Sequence, residues 1–189
     1  SAIEVFGEWA LNGRDEGMAV GHRAAVEHML GFVQPRLSTG FTAIDAGCGN
    51  GWVVRLLREL AQCETAMGID GAAEMVSRCQ ELDPDGHYVH ADLLAWAPEA
   101  PVDLVHSMEV FYYLRHPEAL IERIAQRWLK PGGRLIMGVD HYQENTASLN
   151  WAAENGIDFM TTLSQEQWVG RFESSGFNDV ESWRFNTKA

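Results

Sequence analysis

The sequence predicts a three-layer α/β/α fold, in which helices cover both faces of a doubly wound, mostly parallel β-sheet. Apolar segments of strand length alternate with segments of helical periodicity from residue 42 to residue 185, which is typical of parallel sheets. A glycine-rich turn at residues 47–51 joins a buried strand to a helix. Polar residues follow the predicted strands at the edge where such sheets bind ligands: Asp45, Asp70, Asp92, His106 and Asp140.

Residues 1–40 are predicted to form a helical cap that precedes the sheet. Apolar residues recur at helical spacing between Val26 and Val33, and Pro35 ends this pattern. The expected elements are helices over 3–11 and 20–34, separated by a polar loop over 12–17.

Residues 42–140 are predicted to form the ligand-binding half of a single domain that spans residues 1–189. Apolar residues spaced three or four apart follow Trp52 and Ala72, and Pro117 suits the first position of a further helix. Strands are expected over 42–44, 65–69, 87–90, 102–106 and 134–139.

Residues 141–163 are predicted to be an irregular, partly helical insertion that caps the site together with residues 1–40. Residues 164–189 are predicted to form a last helix and a last strand. Ser164 begins the helix in a capping-box pattern, and alternating polarity over 178–185 favours the strand.

Composition excludes several classes of function. The 189 residues carry a formal net charge of −13, and so acidic a surface argues against nucleic acid as a partner. No apolar run approaches the roughly 20 residues of a membrane span, and no basic signal-peptide start is visible. Three cysteines without a C-x-x-C pair favour reduced thiols. We therefore expect a cytoplasmic monomer or homodimer that binds neither membrane nor metal.

The spacing of the glycine-rich turn constrains the ligand. The pattern is Asp45-x-Gly47-x-Gly49-x-Gly51, and a dinucleotide loop would need a third glycine where Trp52 stands. No Lys-Ser/Thr follows, so the turn is not a P-loop. A carboxylate here would repel pyrophosphate and suits a ligand that carries an amino group.

The turn, together with two later segments, resembles a known enzyme family. Asp103–Glu109 resembles motif IV, and the Leu129–Gly133 turn resembles the signature before strand five, of the class I S-adenosylmethionine (SAM) dependent methyltransferases. The resemblance covers residues 42–185. It implies a Rossmann-like methyltransferase fold, SAM as cofactor with S-adenosylhomocysteine (SAH) as product, and methyl transfer to a nitrogen or oxygen of a small-molecule acceptor.

The resemblance also implies which residues hold SAM. Asp70 would accept both ribose hydroxyls, since a carboxylate can accept two O–H donors at once. The complete predicted set is Asp45, Gly47, Cys48, Gly49, Gly51, Asp70, Gly71, Asp92, Leu93, Ser107 and Met108. As alternatives, Asp45 and Asp70 could be helix N-caps and Asp92 a solvated strand end.

A second set is predicted to face the acceptor. His141, His22 and Tyr112 are the candidate catalytic residues, and the two histidines are candidate bases because a neutral imidazole accepts a proton near pH 7. Trp9, His106, Tyr113 and Trp151 are the candidate acceptor contacts. The tyrosines and tryptophans could equally be packing residues, and the histidines could be structural.

Two other functions stay open from the sequence. A module that binds SAM or SAH without catalysis fits the same motifs. A nicotinamide-dependent oxidoreductase fits them less well, because Trp52 replaces the third glycine. The family's sheet has seven strands whereas six are predicted here, which leaves the far edge of the sheet open.

Overall fold

A computed structural model describes residues 1–186 of the chain. Its strands are β1 Phe41–Ala46, β2 Cys63–Asp70, β3 His87–His90, β4 Val102–Met108 and β5 Leu129–Gly138. All pair in parallel, in the order β3-β2-β1-β4-β5. The predicted α/β class with a doubly wound parallel sheet is confirmed. The chain reverses its winding direction between β1 and β4, where such sheets bind ligands.

Helices cover both faces of this sheet. They are α1 Ala2–Asn12, α2 Arg14–Val33, α3 Trp52–Glu59, α4 Ala73–Leu82, α5 Pro117–Arg123, α6 Trp151–Glu154 and α7 Gln165–Ser174. Apolar residues of α2, α3 and α4 share one buried cluster with the sheet, and those of α5 and α7 share another. Among residues 1–186, no helix is both long and apolar enough to cross a membrane.

The polar loop predicted over 12–17 is helical in the structure. Gly13 alone links α1 to α2, with a φ of +81° that suits glycine. Asp15 is buried and accepts a hydrogen bond from Asn50 Nδ2 at 2.9 Å. This contact ties the start of α2 to the glycine-rich turn, a tertiary interaction that the local pattern does not show.

The strand predicted over 178–185 does not form. The sheet of the described residues ends at β5, and a cavity of about 870 Å³ is lined by both β5 and this segment. The segment is instead held by α2, where Trp183 Nε1 donates to His28 at 2.9 Å and the Trp183 ring packs 4.4 Å from Phe32. Phe185 also stacks on His28, at 4.3 Å between ring centroids, so aromatic residues of this segment pack on α2 and the segment does not extend the sheet.

The turn predicted at residues 130–133 lies inside β5. Val102 of β4 pairs with Leu129, but Leu104 pairs with Arg134. The extra residues form an irregularity in which Gly132 takes a φ of +77°. Beyond it, β5 runs in regular register to the carboxyl edge of the sheet.

Candidate active site

The turn after β1 requires glycine at two positions. Gly47 and Gly51 have φ values of +75° and +84°, which other residues adopt only with strain. A Cβ atom on Gly47 would clash with Val110, and one on Gly51 would lie 2.6 Å from the Tyr88 ring. Gly49 faces open space, so its surface is free to contact a ligand.

Asp70 ends β2 beside this open surface. Its carboxylate oxygens accept the backbone N–H groups of Gly49 at 2.9 Å and Ala72 at 2.8 Å. Burial raises the pKa of Asp70 to about 6, against the lowering effect of these two hydrogen bonds. Each oxygen keeps a lone pair for another donor. A fixed carboxylate beside an exposed glycine backbone fits the ribose and methionine parts of SAM.

Asp92 and Leu93 continue the same edge beyond β3. Asp92 is exposed and its Oδ1 accepts the backbone N–H of Leu94 at 2.9 Å, while Leu93 is half-buried. His90 pairs with Asp70 across the strands, and its Nε2 lies 3.1 Å from the carbonyl oxygen of Gly71. This position next to Asp70 is compatible with the SAM contact predicted for Asp92 and Leu93, which stays a prediction.

Cys48 and Ser107 are buried, although both were expected to contact the cofactor. The Cys48 sulfur lies 4.0 Å from Cys79 Sγ; hydrogen bonding to Cys79 and burial raise the pKa of the Cys48 thiol. Ser107 Oγ donates to the Ala46 carbonyl at 2.9 Å. Both side chains therefore face the protein interior and not the predicted cofactor, whereas the Met108 side chain is half-buried.

Asp45 and His106 form a buried pair at the centre of the sheet. They lie level on β1 and β4, with Asp45 Oδ1 2.7 Å from His106 Nδ1. Burial raises the pKa of Asp45, and His106 opposes this shift. His106 is 0% exposed, so the structure places it inside the sheet and not at the acceptor surface predicted for it.

Glu109 is the functional candidate that sequence reasoning missed. It follows the last residue of β4 with a φ of +62°, a backbone strain that clusters at functional sites. Its buried carboxylate accepts the Tyr112 hydroxyl at 2.6 Å and the backbone N–H of Asp140. Burial, followed by the charge of Asp140, raises its pKa to about 7. The sequence does show a carboxylate close to a predicted strand end. It does not show the unusual backbone conformation of Glu109.

His22 of α2 faces Glu109 and Asp140. Its Nδ1 lies 2.9 Å from the Met18 carbonyl oxygen and its Nε2 3.4 Å from Asp140 Oδ2. The hydrogen bond to Asp140 raises the pKa of His22 to about 9, against the effect of burial. His22, Glu109 and Asp140 each place one ligand-type atom within 4.8 Å of the others. We call these three residues the acidic cluster.

The acidic cluster predicts how stability depends on pH. The pKa of Glu109 rises from 4.5 to about 7, and that of His22 from 6.5 to about 9. The folded protein therefore holds more protons than the unfolded chain between pH 4.5 and 9, and its free energy of unfolding should fall as pH rises through this window. We expect denaturant titrations at several pH values to show a smaller pH dependence for Glu109→Gln. Its free energy of unfolding should lack the part of this fall that lies between pH 4.5 and 7. The same fall in both proteins would contradict the environment described for Glu109.

His141 is buried within the insertion. Its Nδ1 lies 3.0 Å from the Ser148 carbonyl oxygen and its Nε2 2.8 Å from Thr162 Oγ1. Its ring packs 5.4 Å from Tyr112 and 6.5 Å from Trp151. Tyr112 therefore lies between His141 and Glu109. Both ring nitrogens of His141 already have hydrogen-bond partners.

Helix α1 lies across the carboxyl edge of the sheet. Phe6 stands 5.1 Å from Trp9 and 4.9 Å from Tyr113 between ring centroids. Trp9 is buried in the contact of α1 with α4. The amino group of Ser1 lies 3.3 Å from Asp158 in the insertion. Helix α1 and residues 141–163 thus meet over the site.

Comparison with known proteins identifies the family. Residues 20–182 match the family described as a methyltransferase domain. The trans-aconitate 2-methyltransferase of Azoarcus sp. (strain BH72) is 37% identical over 156 residues, covering 78% of this chain and 61% of that protein. Its namesake from Klebsiella pneumoniae (strain 342) is 27% identical over 146 residues, covering 75% and 57%. The chain spans about three fifths of the length of these curated relatives.

Solved structures agree with this match. A Haloferax volcanii methyltransferase in complex with the Trm112 methyltransferase activator has a TM-score of 0.81 at 35% identity, covering 90% of this chain and 75% of that one. A SAM-dependent methyltransferase from Mesorhizobium loti has a TM-score of 0.62 at 21% identity, covering 77% and 79%, and shows the fold alone. The chain belongs to the class I SAM-dependent methyltransferase family.

Proposed function

We propose that this chain transfers the methyl group of SAM to a nitrogen or oxygen of a small-molecule acceptor. The observation that supports this most directly is the polar edge of the sheet, with Asp70 beside open Gly49 on one side and the acidic cluster on the other. SAM supplies a methyl group that already bears a good leaving group. The chain has to bind both reactants, align them and accept a proton from the acceptor.

The cover over the site supports a small acceptor. Tyr113 is half-buried beneath Phe6, and Trp151 is half-buried in the insertion, so both can contact an acceptor that enters below α1. A covered site excludes water and holds a small molecule in one orientation. The net charge of −13 disfavours a nucleic-acid acceptor.

A tricarboxylate is the second candidate for the acceptor. It is favoured by the 37% identity to a protein named trans-aconitate 2-methyltransferase. The remaining two fifths of that relative lie outside the match, and they can contribute to its choice of acceptor. The residues of the site in this chain therefore bear more directly on the acceptor than the name of that relative.

We propose that the protein works in the cytoplasm as a monomer or homodimer. Its three cysteines are unpaired, as expected in a reducing compartment. The Haloferax volcanii relative was solved with an activator protein, which makes a protein partner the alternative. Light scattering of the purified chain, with and without SAH, would measure its oligomeric state, and activity that requires an added protein would contradict independent action.

Cofactor choice is the first test of this proposal. Calorimetry should show binding of SAM and SAH and none of NAD, because Trp52 and Asp45 disfavour pyrophosphate at the turn. Binding of NAD without SAM would contradict the proposed reaction. Binding of SAM without methyl transfer to any member of a broad acceptor panel would favour a binding module.

The histidine candidates can be separated by the pH dependence of turnover. His22 lowers the pKa of Glu109, so His22→Ala should move the acidic limb of the pH–rate profile upward in pH if Glu109 accepts the proton. His141→Ala should keep the wild-type profile shape in that case. A roughly 10²-fold lower turnover for His141→Ala, with a changed limb and unchanged SAM affinity, would instead identify His141 as the base.

A further inference from the structure

We propose that the acceptor is an amine, bound in its ammonium form between Glu109 and Asp140. This inference rests on the proposed function and names the acceptor class of the same site. It takes its support from the hydrogen bonding of the acidic cluster, the aromatic rings around it and the placement of the nearby arginines.

The tautomer of His22 shows that the cluster is built to hold positive charge. The Met18 carbonyl can only accept, so its 2.9 Å contact puts the proton on Nδ1 of His22. In a neutral ring, Nε2 would then be an acceptor only 3.4 Å from Asp140 Oδ2. Two acceptor atoms this close repel each other unless a proton or another cation lies between them. A proton on Nε2 supplies one positive charge against two carboxylates.

One negative charge therefore remains in the acidic cluster when both carboxylates are ionised. The pKa of about 9 for His22 keeps it protonated at neutral pH, and an approaching cation favours the ionised form of Glu109. A single ammonium group on the acceptor would neutralise the cluster. Half-exposed Asp140 offers the entry side, while Glu109 is buried behind it.

Aromatic rings complete a site for a cation. Tyr112 donates its hydroxyl to Glu109 at 2.6 Å, its ring lies 4.5 Å from Tyr113, and Phe6 packs on the far side of Tyr113. Aromatic faces next to carboxylates attract ammonium groups. Tyr112 is buried against Glu109, and half-buried Tyr113 and Phe6 are the rings of this group that an acceptor can reach.

Arginine and lysine side chains are directed elsewhere. Within residues 1–186, neither Glu109 nor Asp140 forms an ion pair with either residue type. Arg14 lies 4.6 Å over the Trp9 ring and Arg115 lies 4.4 Å over Phe159. A tricarboxylate would meet two carboxylates and no guanidinium partner in the cluster, which disfavours trans-aconitate as the acceptor.

The Glu109 carboxylate also accepts the proton that the bound ammonium must lose before methyl transfer. The bound ammonium gives one proton to the Glu109 carboxylate, which leaves a neutral amine with a free lone pair. That lone pair forms the new nitrogen–carbon bond as the carbon–sulfur bond breaks and its electrons return to sulfur. The products are SAH and a methylated ammonium, so the positive charge of the sulfonium ends on nitrogen. Protonated Glu109 then releases its proton to solvent through the half-exposed side of the site.

The test is calorimetry on the SAH-loaded protein, which measures binding apart from turnover. The probes are primary amines of aromatic, aliphatic and diamine types, each paired with the alcohol in which a hydroxyl replaces the ammonium. We expect at least one amine to bind tenfold or more tightly than its alcohol. Glu109→Gln and Asp140→Asn should each weaken that amine about tenfold without changing SAH affinity. The exposed carboxylates Glu122 and Asp85 provide matched controls, and Glu122→Gln and Asp85→Asn should bind like wild type.

Three results would overturn the amine assignment while leaving the proposed function intact. They are SAH binding with no amine bound better than its alcohol, binding of trans-aconitate but of no amine, and amine affinity unchanged in both cluster variants. A Mn²⁺ signal in electron paramagnetic resonance that both variants abolish, without amine binding, would make the cluster a metal site. Failure of the wild type to bind SAH or SAM would instead contradict the proposed function, and the amine assignment with it.

Discussion

Asp70→Ala is expected to lower the affinity for SAM by at least tenfold and to leave the fold intact. The carboxylate is held at the end of β2 by Gly49 and Ala72, and its free lone pairs are available to the two ribose hydroxyls. A hydrogen bond to a charged group contributes about 1.5–3 kcal/mol, and a tenfold change in affinity needs about 1.4 kcal/mol. Loss of both bonds therefore exceeds a tenfold effect.

Two further variants separate ligand binding from support of the turn. Asp70→Asn keeps one acceptor oxygen for Gly49 or for ribose, so its affinity should lie between wild type and Asp70→Ala. Asp85→Ala removes an exposed carboxylate from the turn before β3 and should bind SAM like wild type. If Asp70→Ala binds SAM within about twofold of wild type while thermal unfolding stays cooperative, Asp70 is not a ribose ligand.

Glu109→Gln is expected to lower turnover by roughly 10²-fold or more, with SAM affinity within about twofold of wild type. Transfer of a proton to a positioned side chain contributes about 10²–10⁴-fold to rate. Glutamine keeps the shape of the side chain and its contact with the Tyr112 hydroxyl, but it cannot accept the proton. The loss should therefore fall on kcat more than on SAM binding.

The pH dependence of this variant distinguishes a lost base from a disturbed site. An amine acceptor loses its proton to solvent as pH rises, so the residual rate of Glu109→Gln should climb with pH towards that of the wild type. Glu122→Gln on α5, outside the acidic cluster, should match wild type throughout. A Glu109→Gln enzyme with wild-type turnover at neutral pH would remove Glu109 from the reaction.

Sequence patterns predicted the parallel sheet and the strand ends that carry Asp45 and Asp70. Strand and helix periods alternate along the chain, and parallel strands bring their carboxyl ends to one edge of the sheet. The sequence alone therefore places Asp45 and Asp70 at that edge. The spacing of Gly47, Gly49 and Gly51 excluded a dinucleotide loop. These features depend on residues that are close together in the chain, so local sequence patterns predict them.

The acceptor side depended on contacts between distant residues. His22 lies in α2, whereas Glu109 and Asp140 follow β4 and β5, and neither periodicity nor motif spacing shows that these residues meet. The burial that raises the pKa of Glu109 is likewise a tertiary effect. The strand predicted over 178–185 failed for the same reason, since Trp183 and Phe185 of this segment contact α2 instead of extending the sheet.

A crystal structure of the protein with SAH would locate the cofactor relative to the acidic cluster. We expect the ribose hydroxyls to contact Asp70, the amino acid part to lie over Gly49, and the sulfur to face the acidic cluster beneath α1. SAH bound away from the carboxyl edge of the sheet, or bound there with its sulfur directed away from Glu109 and Asp140, would contradict the proposed site.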